Sequence, residues 1–196
     1  MADTGWVSPT QAENVDRDGE RSWASPTDVL TQNDDQAWSM PYATSYTDWI
    51  RAFDFEFSIP EGATIDGIEV RMDKYCANGA DIITDSSLRL SKDSSTLVGD
   101  DKADTVTLWP GSDTDTYIEY GGSADDWNAS LTRADVNSEG FGVHFSCYNT
   151  ESAQKVSKVD HIQMKVHYTE GGGGDSDENI TKFNENLNGM INNGLN

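Results

Sequence analysis

The side chains that most often perform catalysis are few in this sequence and poorly placed for it. The three histidines, His144, His161 and His167, all fall on the polar phase of predicted strands. His161 and His167 share a face, but they lie roughly 20 Å apart along an extended strand, too far to bind one metal ion. The sequence contains no phosphate-binding loop, nucleophile elbow, zinc-protease helix or redox dithiol. We therefore predict no enzymatic activity and no catalytic residue.

Carboxylates are the most abundant charged groups, and most of them are aspartates. The chain has 35 acidic residues, of which 24 are Asp and 11 are Glu. Acidic clusters occur at residues 16–20, 33–35, 100–101 and 113–115, and the first has part of the spacing of a calcium loop without its distal glutamate. We interpret these clusters as solvated turns, with calcium binding as the alternative, and we predict no metal ligand and no other cofactor.

Six tryptophans provide the other candidate chemistry, because flat aromatic rings stack on sugar rings. Trp109 and Trp127 are predicted to lie in the core, whereas Trp38 and Trp49 lie near the edges of predicted strands. Trp38 and Trp49 are therefore the candidate glycan-binding residues. The alternative is that they only fill the ends of the fold.

The net charge restricts the partners of the chain. Lys and Arg total 13 against 35 Asp and Glu, so the formal charge is −22 at pH 7. Such a surface repels phosphate backbones and anionic lipids, and we predict neither a nucleic-acid partner nor membrane association. The N-terminal residues lack the basic and apolar regions of a secretory signal, so we expect synthesis in a cytoplasm without general export.

Alternation of apolar and polar residues with a period of two predicts an all-β fold. Strands are predicted at residues 49–58, 64–76, 88–90, 106–109, 116–120, 141–148 and 161–168. A short helix is predicted at residues 123–133, because Trp127 and Leu131 are four residues apart and follow two acids. Strands with one polar face each favour an antiparallel, jelly-roll-like β-sandwich.

The two cysteines, Cys76 and Cys147, both fall on the apolar phase of predicted strands. We interpret them as buried free thiols, since free cysteine packs as a small apolar side chain. A disulfide across the core is the alternative.

Composition divides the chain into a globular part and a tail. Residues 1–170 form the predicted sandwich domain, in which residues 1–48 are loop-rich, and the four glycines of 171–174 form a predicted flexible linker. Residues 175–196 carry apolar side chains at helical spacing: Ile180, Phe183, Leu187, Met190 and Ile191. We predict an amphipathic helical tail that is marginal alone and therefore docks on a partner or forms a homo-oligomer, with a trimer favoured. Packing on its own sandwich, or disorder, is the alternative.

A pattern that spans most of residues 23–168 resembles a known protein class. It consists of Trp23-x-x-Pro26, Asp34-Asp35, Tyr42-Ala43-Thr44, the run from Phe55 through Ile59-Pro60-x-Gly62 to Val70, and the closing Val159-Asp160-His161-Ile162. The pattern is similar to a β-sandwich of tailed-phage virion proteins and related prophage-encoded proteins. No catalytic or ligand residue belongs to it.

The resemblance implies a virion structural protein of a bacteriophage or archaeal virus: a capsid decoration, fibre, neck or tail component. Its partners would be other virion proteins, contacted through the C-terminal segment, and its location the virion. The alternative function is a carbohydrate-binding or host-receptor-binding β-sandwich module, whose ligand would be a cell-surface glycan.

Overall fold

The computed structural model describes residues 1–18, 21–77 and 82–171. These residues form two five-stranded antiparallel sheets, which confirms the all-β sandwich. The first sheet contains β1 (Ala2–Asp3), β3 (Ala37–Ser39), β5 (Thr64–Cys76), β8 (Tyr117–Gly122) and β10 (Ser157–Thr169). The second sheet contains β2 (Gln11–Val15), β4 (Trp49–Phe53), β6 (Ile83–Ser91), β7 (Leu97–Val98) and β9 (Gly142–Asn149). The strand order is β1-β10-β5-β8, with β3 also paired to β10, and β2-β4-β9-β6-β7.

The core lies between the sheets and follows the alternation read from the sequence. Strand β5 contributes Ile68, Val70 and Met72, and β9 contributes Val143 and Phe145, all fully buried. Burying each of these side chains stabilises the fold by about 1.5–3 kcal/mol. The residues between them therefore face outward, and they include charged groups such as Glu69 and Arg71 of β5.

A bulge in β10 sets the geometry of one outer face. Strands β5 and β10 pair along their whole length, with Val159 opposite Lys74 and His161 opposite Asp73. Asp160 is the additional residue between these two pairs, and such an insertion re-aims a side chain. The carboxylate of Asp160 consequently lies on the outer face of the first sheet together with that of Asp73.

Three predicted elements differ from the structure. The strand predicted at 49–58 ends at Phe53, because Asp54 (φ 60°) and Glu56 (φ 52°) adopt left-handed backbone conformations that no strand accommodates. Residues 106–109 form no strand, although Trp109 is buried as predicted. The helix predicted at 123–133 is wrong.

Residues 123–131 instead follow a series of turns, since Trp127 (φ 57°) and Asn128 (φ 50°) are left-handed. The α-helix α1 spans only Arg133–Val136, and Thr132 begins it with a capping box closed by Asp135. A single 3₁₀ helix is described as well, at Pro26–Leu30. Trp127 is fully buried by these turns rather than by a helical face.

The first 48 residues contain more strand than the sequence indicates. Strands β1, β2 and β3 all lie within this loop-rich region and have two to five residues each. Alternation of apolar and polar residues does not reveal these strands, because short edge strands gain most of their stability from backbone pairing rather than from an apolar face.

Cys76 and Cys147 are both buried as predicted, and no disulfide joins them among the described residues. Burial raises the pKa of the Cys147 thiol to about 12, so it stays protonated and unreactive at neutral pH. The C-terminal segment and its five apolar residues, Ile180, Phe183, Leu187, Met190 and Ile191, lie outside the described residues.

Candidate functional site

An open groove of about 360 Å³ lies beside Trp38 and is lined by Arg21, Ser22, Ala24, Trp38 and Met40. Two of the lining residues pair through their backbones: the Ala24 N–H donates to the Trp38 carbonyl at 2.9 Å, and the Trp38 N–H donates to the Ala24 carbonyl at 3.2 Å. These two bonds hold the backbone beneath the Trp38 side chain. The indole remains 45% exposed, which is rare for so large an apolar group.

Arg21 lines the groove with Trp38 and also contacts a second aromatic ring, that of Tyr42. Tyr42 is 51% exposed, and the Arg21 guanidinium lies 4.3 Å from the centroid of its ring. The Nε atom of Arg21 is buried and has no hydrogen-bond partner among the described residues. The groove therefore joins a flat apolar surface to N–H donors, the combination that recognises a ligand with an apolar face and hydroxyl groups.

Trp49, the other predicted glycan-binding residue, lies in a different environment. It belongs to β4 of the second sheet, whereas Trp38 belongs to β3 of the first. Its ring is edge-on to His144 at 5.8 Å, and the Arg17 guanidinium lies 4.4 Å from the ring centroid. The structure thus places the two tryptophans in separate sheets. It places Arg21 beside Trp38 in the groove and against the ring of Tyr42. Sequence analysis missed Arg21 and Tyr42, and the only local signal is their position in the loop-rich segment around Trp38.

A directional chain of hydrogen bonds crosses the outer face of the first sheet. Gln163 Nε2 donates to Ser8 Oγ at 3.1 Å, and Ser8 Oγ contacts His161 Nε2 at 2.9 Å. His161 Nδ1 contacts Tyr117 Oη at 2.7 Å, and Tyr117 Oη donates to Gln32 Oε1 at 2.7 Å. These contacts assign the proton of His161 to Nδ1, and they fix the amide of Gln32 with its NH₂ group pointing away from Tyr117.

The Ser8–His161 contact has the spacing of a nucleophile and its base but not the electrostatics. Burial, together with the nearby Arg71 guanidinium, lowers the pKa of His161 to about 4. The group behind the imidazole is the Tyr117 hydroxyl, whereas serine nucleophiles depend on a carboxylate there to stabilise the imidazolium. The arrangement therefore orients Gln32 and is unsuited to activating Ser8.

The NH₂ group of Gln32 reaches a group of carboxylates. Gln32 Nε2 donates to Asp73 Oδ2 and to Asp160 Oδ2, both at 2.7 Å, and lies 3.3 Å from Asp115 Oδ1. Carboxylate oxygens come within 4.8 Å of one another in two overlapping trios, Asp34 with Asp115 and Asp160, and Asp73 with Asp113 and Asp115. We call these five aspartates the acidic cluster. The sequence placed residues 33–35 and 113–115 in separate solvated turns, and the fold brings them together.

Burial raises the pKa of two carboxyl groups of the acidic cluster. Burial, with repulsion from Asp73 and Asp113, raises the pKa of the Asp160 carboxyl to about 6, although nearby backbone N–H groups act in the opposite direction. Burial also raises the pKa of Asp73, again with repulsion from neighbouring aspartates. Asp73 and Asp160 escaped sequence analysis because each is one polar residue in a strand, with no local signal.

The outer face of the second sheet carries a row of basic side chains. Arg51 of β4 and Arg89 of β6 both lie opposite His144 of β9 in the strand register. Arg51 Nη1 pairs with Glu13 Oε1 at 2.9 Å, and its Nη2 donates to the Gly140 carbonyl at 2.8 Å. Burial and the neighbouring Arg51 lower the pKa of His144 to about 4, so the imidazole is neutral at pH 7.

A buried ion pair lies between the two sheets. Lys74 of β5 and Asp85 of β6 are both almost fully buried, and Lys74 Nζ donates to Asp85 Oδ1 and to Tyr120 Oη. Trp109 Nε1 donates to the same carboxylate at 2.8 Å, and Tyr120 Oη donates to it at 2.7 Å. Burial lowers the pKa of Lys74, opposed by the adjacent Asp85. The pair therefore links the sheets with every carboxylate oxygen satisfied.

No protein-family model and no curated protein sequence matches the chain. Among solved structures, a carbohydrate-binding module described as "CBM4 structure and function" is similar over 82% of this chain and 93% of its own, with 10% identity and a TM-score of 0.37. A likeness of this degree identifies neither a family nor a ligand. In the part of the chain that the structure describes, no helix is both long and apolar enough to span a membrane.

Proposed function

We propose that this chain is a non-catalytic β-sandwich module that binds a saccharide in the groove beside Trp38. The observation that carries the proposal is the 45% exposed indole of Trp38, held on a paired backbone at the edge of a groove that is large enough for a small ligand. Large aromatic side chains gain most by burial, so one left exposed over a groove marks a binding surface.

The chemistry of the groove favours a sugar over a purely apolar ligand. The Trp38 indole offers a flat face for the C–H groups of a pyranose ring, and the adjacent Arg21 guanidinium offers N–H donors to hydroxyl oxygens. The net charge of −22 disfavours polyanionic glycans, because long-range repulsion opposes their approach. The proposed ligand is therefore a neutral saccharide.

Glycan-array screening followed by titration calorimetry tests this function. We expect Trp38→Ala to weaken binding of the selected saccharide by about tenfold or more, since loss of one stacked ring removes about 1–3 kcal/mol. Leu108→Ala is the matched control, because Leu108 is similarly exposed at 41% and does not line the groove. Circular dichroism confirms that both variants are folded.

Two outcomes would contradict the proposal. Absence of binding to a broad set of neutral glycans would remove the function itself. Binding that survives Trp38→Ala and is lost in Trp49→Ala would move the site to the second sheet.

A virion structural role is the second candidate, and the sequence resemblance over residues 23–168 is the observation that favours it. The two functions are compatible, because a decoration or fibre can also bind a cell-surface glycan. Deleting residues 171–196 is expected to release the protein from particles while the sandwich stays folded. Full occupancy of particles by the truncated protein would contradict attachment through Ile180, Phe183, Leu187, Met190 and Ile191.

A further inference from the structure

We propose that Lys74 and Asp85 condense into an intramolecular amide bond, which joins Lys74 Nζ to Asp85 Cγ with the loss of one water molecule. The buried ion pair is the starting state of this reaction. The bond would connect β5 of the first sheet with β6 of the second through the core. It is a modification that the chain makes on itself, and it is independent of saccharide binding at the Trp38 groove.

The two reacting groups touch each other in a site shielded from solvent. The side chains of Lys74 and Asp85 are 2% and 1% exposed, and Lys74 Nζ contacts Asp85 Oδ1. The Nζ atom also lies 4.6 Å from the centroid of the Trp109 ring and 5.1 Å from the centroids of Tyr120 and Phe145. A nucleophile held against its target reacts as if at very high concentration, because the entropy of approach has already been lost in folding. The fold therefore supplies the proximity that free amines and carboxyl groups lack.

Burial favours the neutral forms that react. Burial lowers the pKa of Lys74, opposed by the adjacent Asp85. A proton that passes from the ammonium to the carboxylate gives an amine and a carboxylic acid, which are the forms that condense. Amide formation then removes two ions from a low-dielectric environment, where charged groups are costly. The reaction therefore replaces a buried ion pair by one neutral group.

The Tyr120 hydroxyl is placed to relay protons between the two groups. Tyr120 Oη accepts from Lys74 Nζ and donates to Asp85 Oδ2 at 2.7 Å. Burial, together with the negative charge of Asp85, raises the pKa of Tyr120, so its hydroxyl stays protonated. The hydroxyl therefore takes up a proton from the nitrogen as it delivers its own proton to Oδ2.

Two protons pass from Nζ to Oδ2 along this route, one before and one after the Nζ lone pair attacks Cγ. The Nζ–Cγ bond forms, the Cγ–Oδ2 bond breaks, and Oδ2 leaves as water with both protons. The third proton of the ammonium remains as the amide N–H, and the two charges of the pair cancel. Oδ1 becomes the amide oxygen. Trp109 Nε1 donates to Oδ1 at 2.8 Å and stabilises the negative charge that this oxygen carries in the tetrahedral intermediate.

A small cavity beside the pair has room for the leaving water. Its volume is about 30 Å³, and both Lys74 and Asp85 line it. A buried water molecule requires roughly 10–15 Å³. The lining also includes the exposed residues Asp104, Thr107 and Leu108, so the water has a short way to solvent. The cavity therefore accommodates the second product of the reaction.

Tryptic mapping of the full chain with tandem mass spectrometry tests the bond. Trypsin cleaves after lysine only when the amine is free, so an unlinked chain yields residues 72–74 and 75–89 as separate peptides. We expect instead one peptide of residues 72–89, lighter by one water than its sequence requires, with fragment ions that place the loss on a link between Lys74 and Asp85. Recovery of the wild type entirely as the two separate peptides overturns the proposal. This measurement needs no variant, so it stays decisive if a substitution prevents folding.

Two variants and a control test the chemistry of the link. Lys74→Arg keeps the positive charge but has no amine, and the loss of water should disappear from this region; a loss that persists there overturns the proposal. Tyr120→Phe keeps the ring without the relay, and the linked peptide should accumulate about tenfold or more slowly in a time course of cell-free synthesis. An unchanged rate contradicts the relay.

The matched control is Lys102→Met, because Lys102 also pairs with an aspartate, Asp125, at 2.9 Å but is a quarter exposed. This variant should retain the linked peptide of residues 72–89, and its loss there would contradict a link specific to Lys74. Circular dichroism confirms that each variant is folded. Saccharide binding is read separately through Trp38, so failure of the amide bond is distinguishable from failure of the proposed function.

Discussion

On the outer face of the second sheet, buried basic side chains lie beside acceptors supplied by the chain. On the outer face of the first sheet, the buried carboxylates of Asp73 and Asp160 accept from the neutral amide of Gln32 and pair with no basic side chain of the described residues. Arg51 has Glu13 and the Gly140 carbonyl, and Arg89 Nη2 donates to the Gly99 carbonyl at 2.7 Å. His144, between them in the register, stays neutral and adds no charge to the row. The two guanidinium groups therefore have acceptors within the chain, although their Nε atoms are buried without a hydrogen-bond partner among the described residues.

The outer face of the first sheet carries the acidic cluster. Five aspartates converge there, and the Gln32 amide bridges three of them without adding a positive charge. The difference teaches that the charge of −22 is not spread evenly, because five of the aspartates are concentrated on one face of the first sheet. Buried charge requires a partner, and the first face provides neutral N–H donors rather than a basic side chain.

The Lys74–Asp85 pair between the sheets shows most clearly a buried charge that another residue of the chain neutralises. Lys74 follows Asp73 directly in β5, and because successive side chains point to opposite faces, one enters the core and the other lies outside. Of these two adjacent residues, Lys74 is the cation that pairs with Asp85 in the core, and Asp73 is a member of the acidic cluster on the outer face.

Removing the chain-supplied cation is expected to give the largest effect. Lys74→Met leaves the Asp85 carboxylate buried without its counter-ion, and we expect a loss of about 3–5 kcal/mol in the free energy of unfolding, measured by urea denaturation. The matched control is Lys102→Met, because Lys102 pairs with Asp125 at 2.9 Å but is a quarter exposed. Its expected loss is about 0–1 kcal/mol. Equal losses in the two variants would show that burial does not set the value of these pairs.

The next largest expected effect is a loss of folding stability at acidic pH through His144 on the second face. The pKa of His144 is about 4 in the folded chain and 6.5 in the unfolded chain, so the unfolded state binds more protons between these values. Stability is therefore complete above about pH 6.5 and falls as the pH decreases to 4, by about 2–3 kcal/mol from this residue. His144→Gln should remove that part of the pH dependence, and Asn128→Gln, an exposed substitution, should not. A His144→Gln variant with the slope of the wild type would contradict a neutral buried imidazole.

Screening of the first face by monovalent salt is the smallest expected effect. With EDTA present, raising NaCl from about 0.05 M to 1 M shortens the Debye length to about 3 Å and should raise the melting temperature of the wild type by a few degrees. The double variant Asp34→Asn/Asp115→Asn should respond less, because it has two fewer charges in the acidic cluster. Identical responses in calorimetric scans would show that the repulsion is not concentrated there.

Local patterns in the sequence predict the long strands of the core. In β5, β9 and β10 one face is buried, so apolar residues recur at every second position. This pattern is recognised from the sequence without any tertiary information. The burial of Trp109, Trp127 and the two cysteines follows from the same reasoning. The predicted ends of elements are less accurate, because left-handed residues such as Asp54 stop a strand without a change in hydropathy.

The polar sites could not be predicted in this way, because their members come from distant parts of the chain. Lys74 occupies the apolar phase of β5, and only the position of Asp85 on the facing sheet explains why a lysine is tolerated there. Trp38 and Trp49 are equivalent as sequence candidates, yet one lines a groove and the other packs against His144 and Arg17.

By itself, the sequence determined an acidic, aromatic-rich β-sandwich with two buried cysteines, since composition and period-two alternation reflect local burial. Only the tertiary structure decided which charges meet. Residues 34, 73, 113, 115 and 160 become one acidic cluster because a bulge in β10 re-aims Asp160 and two loops close over the same face. Electrostatic interactions depend on distance in space, and no pattern along the chain records that distance.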